Sequence, residues 1–245
     1  MIVNKQLPNF GVSVCISCYK NKEYIKECLD SIVNQSYFKF RPYEILLGID
    51  GDNADLMYVK TIMKDYENLR VFMMKENYGT YITSNTMMNM GKFHYLLRFD
   101  ADDVMTPDYV RNLIAYSQDC DIMRGITQNF GRSKVRSVAY GSILIKRSIF
   151  KKFGGYRPWI CSADAELLNR LKRFVKIISI KHAVYNRRIH TTNLTVDPKT
   201  NNKSKIRKRY SSFINRQVVR TKYDAVIKMI TGNFEEITNE NTGGK

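Results

Sequence analysis

Long apolar runs are missing from this sequence of 245 residues. No stretch approaches the roughly 20 consecutive apolar residues that a membrane-spanning helix needs. The first ten residues, MIVNKQLPNF, also lack the apolar segment of a secretory signal. We therefore expect a protein that is made and kept in the cytoplasm, and this pattern leaves a peripheral attachment to a membrane open. With 44% hydrophobic residues, the chain still has enough apolar side chains for a sizeable core.

Cysteine is scarce and unevenly spaced. The five cysteines are odd in number and scattered, which argues against a disulfide framework and favours reduced thiols. Cys15 and Cys18 form a CxxC pattern, but they lie in the strand-like stretch VSVCISCY, where residues three apart face opposite sides of a sheet. Because no second pair of cysteines or histidines accompanies them, a zinc or redox site is disfavoured.

Acidic residues are nearly absent from one long segment. The chain has 40 Lys and Arg residues against 23 Asp and Glu residues, and its formal net charge is +17. Residues 167–223 contain sixteen basic residues and a single acidic one, Asp197, whereas the first two thirds of the chain are close to neutral. This segment predicts a polyanionic partner.

Short apolar runs alternate with segments of helix length. The runs VSVCIS, YEILLGI, LRVFMM and HYLLRF have the length of strands, and amphipathic stretches such as NKEYIKECLDSIVNQ separate them. The alternation predicts an α/β fold with a Rossmann-like, mostly parallel sheet flanked by helices. In open sheets of this kind, ligands bind beyond the carboxyl ends of the strands. The polar residues expected at that edge are Ser17, Tyr19, Asp50, Asp52, Asn77, Gly79, Asp100, Asp102 and Asp103.

The fourth predicted strand ends in RFDADD, which places three carboxylates in four positions. Like charges repel one another, so a folded chain is expected to gather them where a cation binds. A capped turn, with Asp103 or Thr106 at the start of a helix opened by Pro107, explains only one of the three acids. The motif therefore predicts a cation site.

Several stretches together resemble the family 2 glycosyltransferases with the GT-A fold. The nucleotide-sugar-binding half is represented by VSVCISCYKNKEYIKECLDSIVNQSY, ILLGIDGDNADL and ENYGTYITSNTMMNMGKFHYLLRFDADDVMTPDYV. The acceptor half is represented by YGSILIKRSIFKKFGGYRPWICSADAELLNRL, and the closing segment by YNRRIHTTNLT. The resemblance covers about residues 11 to 195. It implies a GT-A catalytic domain over residues 1–198 and leaves a basic helical extension over residues 199–245, whose end, TNENTGGK, is expected to be disordered.

The resemblance implies a metal-dependent, inverting transfer of a sugar from a nucleotide sugar, commonly a UDP-sugar, to an acceptor hydroxyl. A divalent cation held by carboxylates stabilises the charge that develops on the diphosphate, and oxygen ligands suit Mn²⁺ or Mg²⁺. Asp102 is the first candidate ligand. Asp100 is expected near the ribose or in support of the metal shell, and Asp103 in either place. His190, in the closing segment, is expected to complete the metal shell or to contact the diphosphate.

Donor binding is assigned by the same resemblance to residues at the strand ends and in the closing segment. Tyr19 is expected to stack on the base, with Ser17 and Asp50 hydrogen-bonded to it, and Arg187 or Arg188 to neutralise the diphosphate. The full set of donor-side candidates is Ser17, Tyr19, Asp50, Asn77, Gly79, Asn85, Asp100, Arg187 and Arg188. The chain departs from the family pattern at Gly51, where a second acid is common, and at Ser84, where an arginine is common.

The segment SADAELLNRL is expected to supply the catalytic base. An inverting transfer needs a carboxylate beside the acceptor hydroxyl to take its proton. Asp164 matches that base in the family pattern and Glu166 is the reserve candidate, while a helix start capped by Ser162 is the structural alternative. Trp159 is expected to form either an acceptor platform or part of the core.

The acceptor is left open by the sequence. The stretch NNKSKIRKRYSSFINRQVVRTKYDAVIKMI has helical spacing with basic and apolar faces, and Arg207, Lys208 and Arg209 are expected to grip a polyanion. A lipid-linked saccharide on an anionic membrane is slightly favoured. The alternative is DNA carrying hydroxymethylated bases, exposed by flipping. A non-catalytic nucleic-acid-binding protein on a GT-A fold is a third reading, but it has no need of Asp102, Asp164 and His190 together. No feature of the sequence indicates an oligomeric state.

Overall fold

A computed structural model describes residues 11–130, 136–191 and 193–238. The first ten residues, where the sequence shows no secretory signal, lie outside the described residues. So do residues 239–245, which carry most of the tail expected to be disordered, and the expectations for both ends stay predictions.

Strands and helices alternate as far as β4, and beyond it some strands follow one another without a helix between them. The strands are β1 (Val12–Cys18), β2 (Tyr43–Ile49), β3 (Leu69–Met74), β4 (Tyr95–Asp100), β5 (Val104–Met105), β6 (Ile122–Asn129), β7 (Arg136–Lys146), β8 (Ile177–Arg187) and β9 (Phe234–Ile237). The helices are α1 (Ile25–Val33), α2 (Asn53–Ile62), α3 (Thr80–Met90), α4 (Tyr109–Ile114), α5 (Arg147–Phe153), α6 (Ala163–Leu171) and α7 (Lys205–Arg216), with short 3₁₀ turns at Ser36–Lys39 and Met63–Asp65.

The strands form one nine-stranded sheet in the order β5-β8-β6-β7-β4-β1-β2-β3-β9. Its centre is the set β4, β1, β2 and β3, in which every neighbouring pair is parallel. β7 extends this set antiparallel to β4, and β9 closes the other side antiparallel to β3. The predicted α/β fold with a Rossmann-like sheet is confirmed, and the carboxyl ends of the four central strands point to one edge.

Two apolar clusters cover the sheet. Along β1, Val14, Ile16 and Cys18 belong to one cluster, and Cys15 belongs to the other. Every residue of β1 is buried, as a strand covered on both faces requires. The prediction that Cys15 and Cys18 face opposite sides is therefore confirmed. All five cysteines are free and buried, which fits the expected reduced thiols.

The C-terminal extension is helical only in part. α7 ends at Arg216, and Gln217 continues in an extended conformation, so the prediction of a helix reaching residue 230 is wrong beyond Arg216. The reason is tertiary contact: Val219 and Ala225 are buried against the domain, and this packing overrides local helical spacing. The chain then forms β9 on the edge of the central sheet. The domain division at residue 198 stays a prediction. No helix in the described ranges is long and apolar enough to span a membrane.

Candidate functional site

The carboxyl ends of β1 and β4 bring two predicted site residues side by side. Ser17 and Asp100 are direct partners in the parallel register of these strands. The Ser17 hydroxyl is hydrogen-bonded to the Thr80 hydroxyl at 2.6 Å, which ties the end of β1 to the first residue of α3. The expected convergence on one edge of the sheet is therefore present for these residues.

Asp102 and His190 form the closest pair of metal-ligand types at this edge. Asp102 Oδ2 lies 2.8 Å from His190 Nε2, although the two residues are 88 positions apart in sequence. Asn193 completes the cluster: its amide nitrogen donates to Asp102 Oδ2 at 2.8 Å, and its oxygen accepts from the His190 backbone N–H at 2.7 Å. The ring of Tyr24 packs 5.1 Å from the His190 ring. The closing segment thus contacts the acidic motif through His190 and Asn193.

Asp102 and His190 carry two types of side chain that can bind a divalent cation. An octahedral Mn²⁺ or Mg²⁺ takes few protein ligands and fills its remaining positions with water and phosphate oxygens, and two ligands at right angles, each about 2.1 Å from the ion, lie about 3.0 Å apart. Asp102 Oδ2 and His190 Nε2 are hydrogen-bonded at 2.8 Å in this structure, so a cation would have to replace the proton that they share. Across the described ranges, however, no three His, Cys, Asp or Glu side chains are grouped as a metal site. The expected set that also included Asp100 and Asp103 is therefore reduced to the pair.

Asp103 points into the protein. Its side chain is 3% exposed, and its Oδ1 accepts a hydrogen bond from the Arg188 backbone N–H at 2.9 Å. Burial, together with the neighbouring charges of Asp102 and Asp100, raises the pKa of Asp103 well above its ordinary value. Its role in this structure is to hold the closing segment, which corrects its assignment as a metal ligand.

Asp100 is held by a buried arginine that the sequence reading did not single out. Arg98 NH2 donates to Asp100 Oδ1 at 2.6 Å. Burial raises the pKa of Asp100, Arg98 opposes that shift, and the charges of Asp102 and Asp164 add to it. The signal for Arg98 was present in the run FHYLLRF: a charged residue inside an apolar strand needs a buried partner, and Asp100 is two residues away on the same face.

The Asp50 carboxylate is hydrogen-bonded within the protein. It is 2% exposed, and its carboxylate accepts from the Tyr78 N–H at 2.8 Å, the Gly79 N–H at 2.9 Å and the Thr83 hydroxyl at 2.8 Å. Because three internal donors already satisfy it, we correct its assignment as a contact to the base: it fixes the turn that starts α3. Burial raises its pKa despite these hydrogen bonds.

The turns after β2 and β3 pack tightly against each other. Gly51 has a φ of +76°, and a Cβ built on it would lie 2.6 Å from the backbone nitrogen of Asn77. A second acid cannot occupy that position, which explains the departure from the family pattern. Gly79 has a φ of +85° at the start of α3, and its N–H also lies 3.1 Å from Asn77 Oδ1. Tyr19, 42% exposed, stays available for stacking.

A cavity of about 280 Å³ opens beside the Asp102 and His190 pair. Its lining includes Lys20, Tyr24, Asp52 and His190. Lys20 directly follows Tyr19 and has a φ of +57°, a left-handed conformation that costs free energy for a residue other than glycine. Asp52 caps α2 by accepting from the Asp55 N–H at 2.9 Å.

The two arginines of the closing segment have different surroundings. The Arg188 guanidinium lies between the rings of Tyr24 and Phe130, at 4.7 and 4.5 Å from their centroids, and is ion-paired with Glu27. These contacts commit Arg188 to holding the closing segment in place. Arg187 donates to the Thr195 hydroxyl at 2.6 Å, and its charge partly opposes the rise in the pKa of Asp100 that burial causes. Arg187 is therefore the better candidate for a diphosphate contact.

Asp164 stands in the first turn of α6. Its side chain is partly exposed, and its Oδ1 accepts from the Ala165 N–H at 2.8 Å. Its charge contributes to the raised pKa values of Asp100, Tyr81 and Tyr156. Ser162 precedes α6 with a φ of +65° but makes no side-chain capping bond, so the simple capping alternative for this segment is not supported.

Glu166 is unsuited to acid–base catalysis in this structure. It is 0% exposed and accepts from Arg170 at 3.0 Å, Arg157 at 2.9 Å and Gln217 at 3.0 Å. Arg170, also 0% exposed, donates in turn to the carbonyls of Phe153, Gly155 and Ala225. The reserve assignment of Glu166 as base is therefore corrected: it anchors a buried network beneath α6.

Asn85 has a structural role as well. It is fully buried, donates to the carbonyls of Tyr156 at 2.8 Å and Ile230 at 3.1 Å, and accepts from the Tyr156 N–H at 2.8 Å. These bonds fasten the loop before α6 and the C-terminal segment to α3. Its assignment to donor binding is corrected, because its polar atoms are all taken.

Trp159 packs against the C-terminal helix. Its ring stacks on Tyr210 with centroids 4.2 Å apart and an interplanar angle of 2°, and Phe213 contacts it edge-on. Of the two roles expected for Trp159, this geometry favours packing over an acceptor platform.

Comparison with known families gives one extended match. The family model described as glycosyl transferase family 2 matches residues 13–157, which contain the sheet edge and the acidic motif.

Curated relatives share part of this region. An uncharacterized glycosyltransferase of Haemophilus influenzae is 29% identical over 111 residues, covering 45% of this chain and 33% of the relative. The poly(ribitol-phosphate) beta-glucosyltransferase of Bacillus spizizenii is 31% identical over 110 residues, covering 44% of this chain and 17% of the relative. The chain thus spans a third or less of the length of these relatives.

Two solved structures share the fold. The mannosyltransferase PcManGT of Pyrobaculum calidifontis, in complex with GDP-Man and Mn²⁺, superposes with a TM-score of 0.69 at 13% identity, covering 91% of this chain and 68% of that one. TarS 1-349 of S. aureus, in complex with UDP-GlcNAc, gives a TM-score of 0.63 at 16% identity, covering 75% and 60%. At these identities the likeness is one of fold.

Proposed function

The chain belongs to glycosyl transferase family 2, and on that premise we propose that it transfers a sugar, with inversion, from a UDP-sugar to a hydroxyl of an anionic saccharide, assisted by Mn²⁺ or Mg²⁺. The observation that carries this proposal is the hydrogen-bonded Asp102 and His190 pair close to Asp100 at the carboxyl edge of the sheet, where the charge of Asp164 also raises the pKa of Asp100. A protein that only bound a polyanion would gain nothing from gathering carboxylates there.

Each residue has a defined part in the transfer. Asp102 and His190 would hold the cation, which when bound offsets the negative charge of the diphosphate leaving group. Asp100 lies at the ribose side, and Arg187 adds a positive charge near the diphosphate. The support for a nucleotide-sugar donor comes from the fold alone. This chain shares its fold with the UDP-GlcNAc and GDP-Man complexes, at 16% and 13% sequence identity.

Asp164 acts as the base. As the acceptor oxygen forms its bond to the anomeric carbon, the bond from that carbon to the diphosphate oxygen breaks on the opposite face, and the hydroxyl proton passes to the Asp164 carboxylate. The Ala165 N–H holds Oδ1 of Asp164 in place, which leaves Oδ2 to take the proton.

An anionic saccharide is favoured as the acceptor by two observations. Most of the net positive charge lies in residues 167–223, which begin on the helix of Asp164 and run through the closing segment and α7. The Bacillus spizizenii relative carries a name that specifies a phosphate-containing polymer. A lipid-linked form of such a saccharide on an anionic membrane, and hydroxymethylated DNA, present the same negative charge and are alternatives for experiment to separate.

Calorimetric titration of UDP tests the proposed metal pair. In the presence of Mn²⁺, Asp102→Ala should weaken UDP binding by at least on the order of tenfold, a loss typical even of residues that merely support a metal ligand. Thermal unfolding should stay close to that of the parent, since the variant relieves repulsion among the acids.

Asp65→Ala is the matched control, because Asp65 is exposed on a turn far from the motif in sequence and should leave UDP binding unchanged. Unaltered UDP affinity of Asp102→Ala with Mn²⁺ would overturn the proposed site.

A further inference from the structure

Arg98 is the buried positive charge at the donor edge that holds Asp100. It lies on β4, and its side chain is 4% exposed, against 31% for Asp100 and 14% for Asp102; among the charges at this edge, Asp50 and Asp103 are buried more deeply. A buried guanidinium is tolerated only when its donors are paired, because an unpaired buried charge carries a large desolvation cost.

The Arg98 guanidinium joins four elements of the fold. NH2 donates to Asp100 Oδ1 at 2.6 Å and lies 3.3 Å from the Thr80 hydroxyl, Nε lies 3.3 Å from the Ser84 hydroxyl, and NH1 donates to the Gly141 carbonyl. Through Thr80 it reaches the Ser17 hydroxyl of β1. Strand ends β1 and β4, helix α3 and strand β7 are thus tied through one side chain.

The rings of Tyr81 and Tyr156 both lie 5.8 Å from the guanidinium carbon of Arg98. They restrict the planar guanidinium from the side, while the hydrogen bonds restrict it within its plane. The backbone of Gly141 lies close to the Asp100 carboxylate: a Cβ built on Gly141 would be 2.5 Å from Asp100 Oδ2. The Asp100 carboxylate is therefore held on one side by a fixed cation and on the other by a backbone that has no side chain.

We propose that Arg98 is a positioning residue for the donor: its guanidinium holds the Asp100 carboxylate in the orientation that receives the ribose hydroxyls. The inference rests on the proposed function, which puts Asp100 at the ribose. Arg98 itself does not reach the donor, since Asp100 is 31% exposed and Arg98 is 4% exposed. Lysine cannot replace it fully, because an ammonium is a point charge without the planar pair of donors that fixes a carboxylate.

A double-mutant cycle on Arg98 and Asp100 tests the inference. Arg98→Lys keeps a positive charge at the site and is the variant most compatible with folding. It should raise the Kd for UDP and the KM for the donor by about tenfold, with a much smaller change in kcat at saturating donor, because the base and the acceptor side are untouched. Asp100→Asn should weaken UDP binding to a similar extent.

The double variant decides how Arg98 acts. If it works through Asp100, Arg98→Lys should cause no further loss of UDP affinity in the Asp100→Asn background. Losses that multiply, or a parent-like UDP affinity of Arg98→Lys, would overturn the inference. So would a fall in kcat that tracks the folded fraction measured by thermal unfolding while the donor KM stays unchanged, since a purely structural role predicts that pattern.

The proposed function and the inference fail in different ways. If Asp100→Asn binds UDP as the parent does, the assignment of Asp100 to the ribose is wrong. If Asp100→Asn weakens binding and Arg98→Lys does not, only the positioning role of Arg98 is wrong.

Discussion

At the scale of single residues, neighbours of like chemistry have opposite roles. Asp164 and Glu166 are two positions apart on α6, so a rotation of about 100° per residue turns them to nearly opposite faces of the helix. Asp164 is partly exposed, and its charge raises the pKa of Asp100. Glu166 is buried and accepts hydrogen bonds from three side chains. Orientation on the helix separates the carboxylate proposed as the base from a structural one.

The two acids should respond differently to loss of charge. Asp164→Asn should keep UDP binding and lose sugar transfer by a factor on the order of 10² or more, as expected when a general base is removed. Glu166→Gln should instead lower stability by about 3 kcal/mol, because it leaves the Arg170 guanidinium buried without a counter-charge. Assays of UDP release, read beside thermal unfolding, separate these effects. Normal transfer by Asp164→Asn, with transfer lost in folded Glu166→Gln, would reverse the assignment.

Site residues are predictable from the sequence where their position follows from the end of a strand or from the order of the motifs. Ser17, Asp100 and Asp102 were predicted at the site because parallel strands end at a common edge, and His190 because the closing segment follows the acceptor half. Asn85 and Glu166 were misjudged for one physical reason. Their partners, the Ile230 carbonyl and Gln217, come from the C-terminal segment, and no local pattern shows where that segment returns.

At the scale of elements, the segment between α7 and β9 fastens α5 and α6 to α3. The Ala225 carbonyl accepts from Arg170 of α6, and the Ile230 carbonyl accepts from Asn85 of α3. The Ile227 N–H donates to the Phe153 carbonyl at the end of α5. Three helices are thus connected through a stretch that has no regular structure of its own.

Asn85→Ala tests this fastening. The change leaves two buried carbonyls and one N–H without their partner, and we expect a loss of about 2–4 kcal/mol in the free energy of unfolding. Denaturant titration measures the loss, and Asn215→Ala, at an exposed position of α7, should stay within about 0.5 kcal/mol of the parent. UDP affinity of the folded variant should not change. A selective loss of UDP affinity at unchanged stability would return Asn85 to the donor site.

At the scale of the whole molecule, the positive charge is concentrated on one exposed tract. α7 has no buried residues, and exposed basic side chains continue beyond it: Lys203, Lys205, Lys208, Arg209, Arg216, Arg220, Lys222 and Lys228. Arg207 differs from them. It donates to the carbonyls of Thr200 and Leu194 and lies within hydrogen-bond distance of the Ser162 hydroxyl, so it fastens α7 to the start of α6. The expectation that Arg207 grips a polyanion together with Lys208 and Arg209 is corrected on this ground.

Removing charge from α7 should weaken the salt dependence of polyanion binding. Replacing Lys205, Lys208 and Arg209 with alanine should reduce the slope of log K against log salt by about 2 to 3, as expected for the loss of three counterion-releasing contacts. The matched control replaces three exposed lysines from the near-neutral part of the chain, Lys39, Lys64 and Lys75, and should leave the slope unchanged.

Three probes should be titrated at two salt concentrations: poly(ribitol phosphate), duplex DNA and vesicles of anionic phospholipid. If poly(ribitol phosphate) binds the parent and not the α7 variant, the result supports the proposed acceptor class. Tighter binding of DNA would favour the nucleic-acid alternative, and binding of vesicles alone would favour a lipid-linked acceptor. If none of the probes binds at low salt, the tract is a solvated surface and the polyanionic acceptor is wrong.

The pairing of β9 with β3 has a consequence for the order in which the chain folds during synthesis. Val71 pairs with Ile237, so the outer edge of the parallel core is completed by a strand made more than 160 residues later. At about 5–20 residues per second, a ribosome needs roughly 8 to 30 seconds to make that stretch. Until then β3 presents unpaired N–H and C=O groups, the kind of edge that recruits strands from other chains. The growing chain is thus prone to aggregation at the β3 edge until β9 has been made.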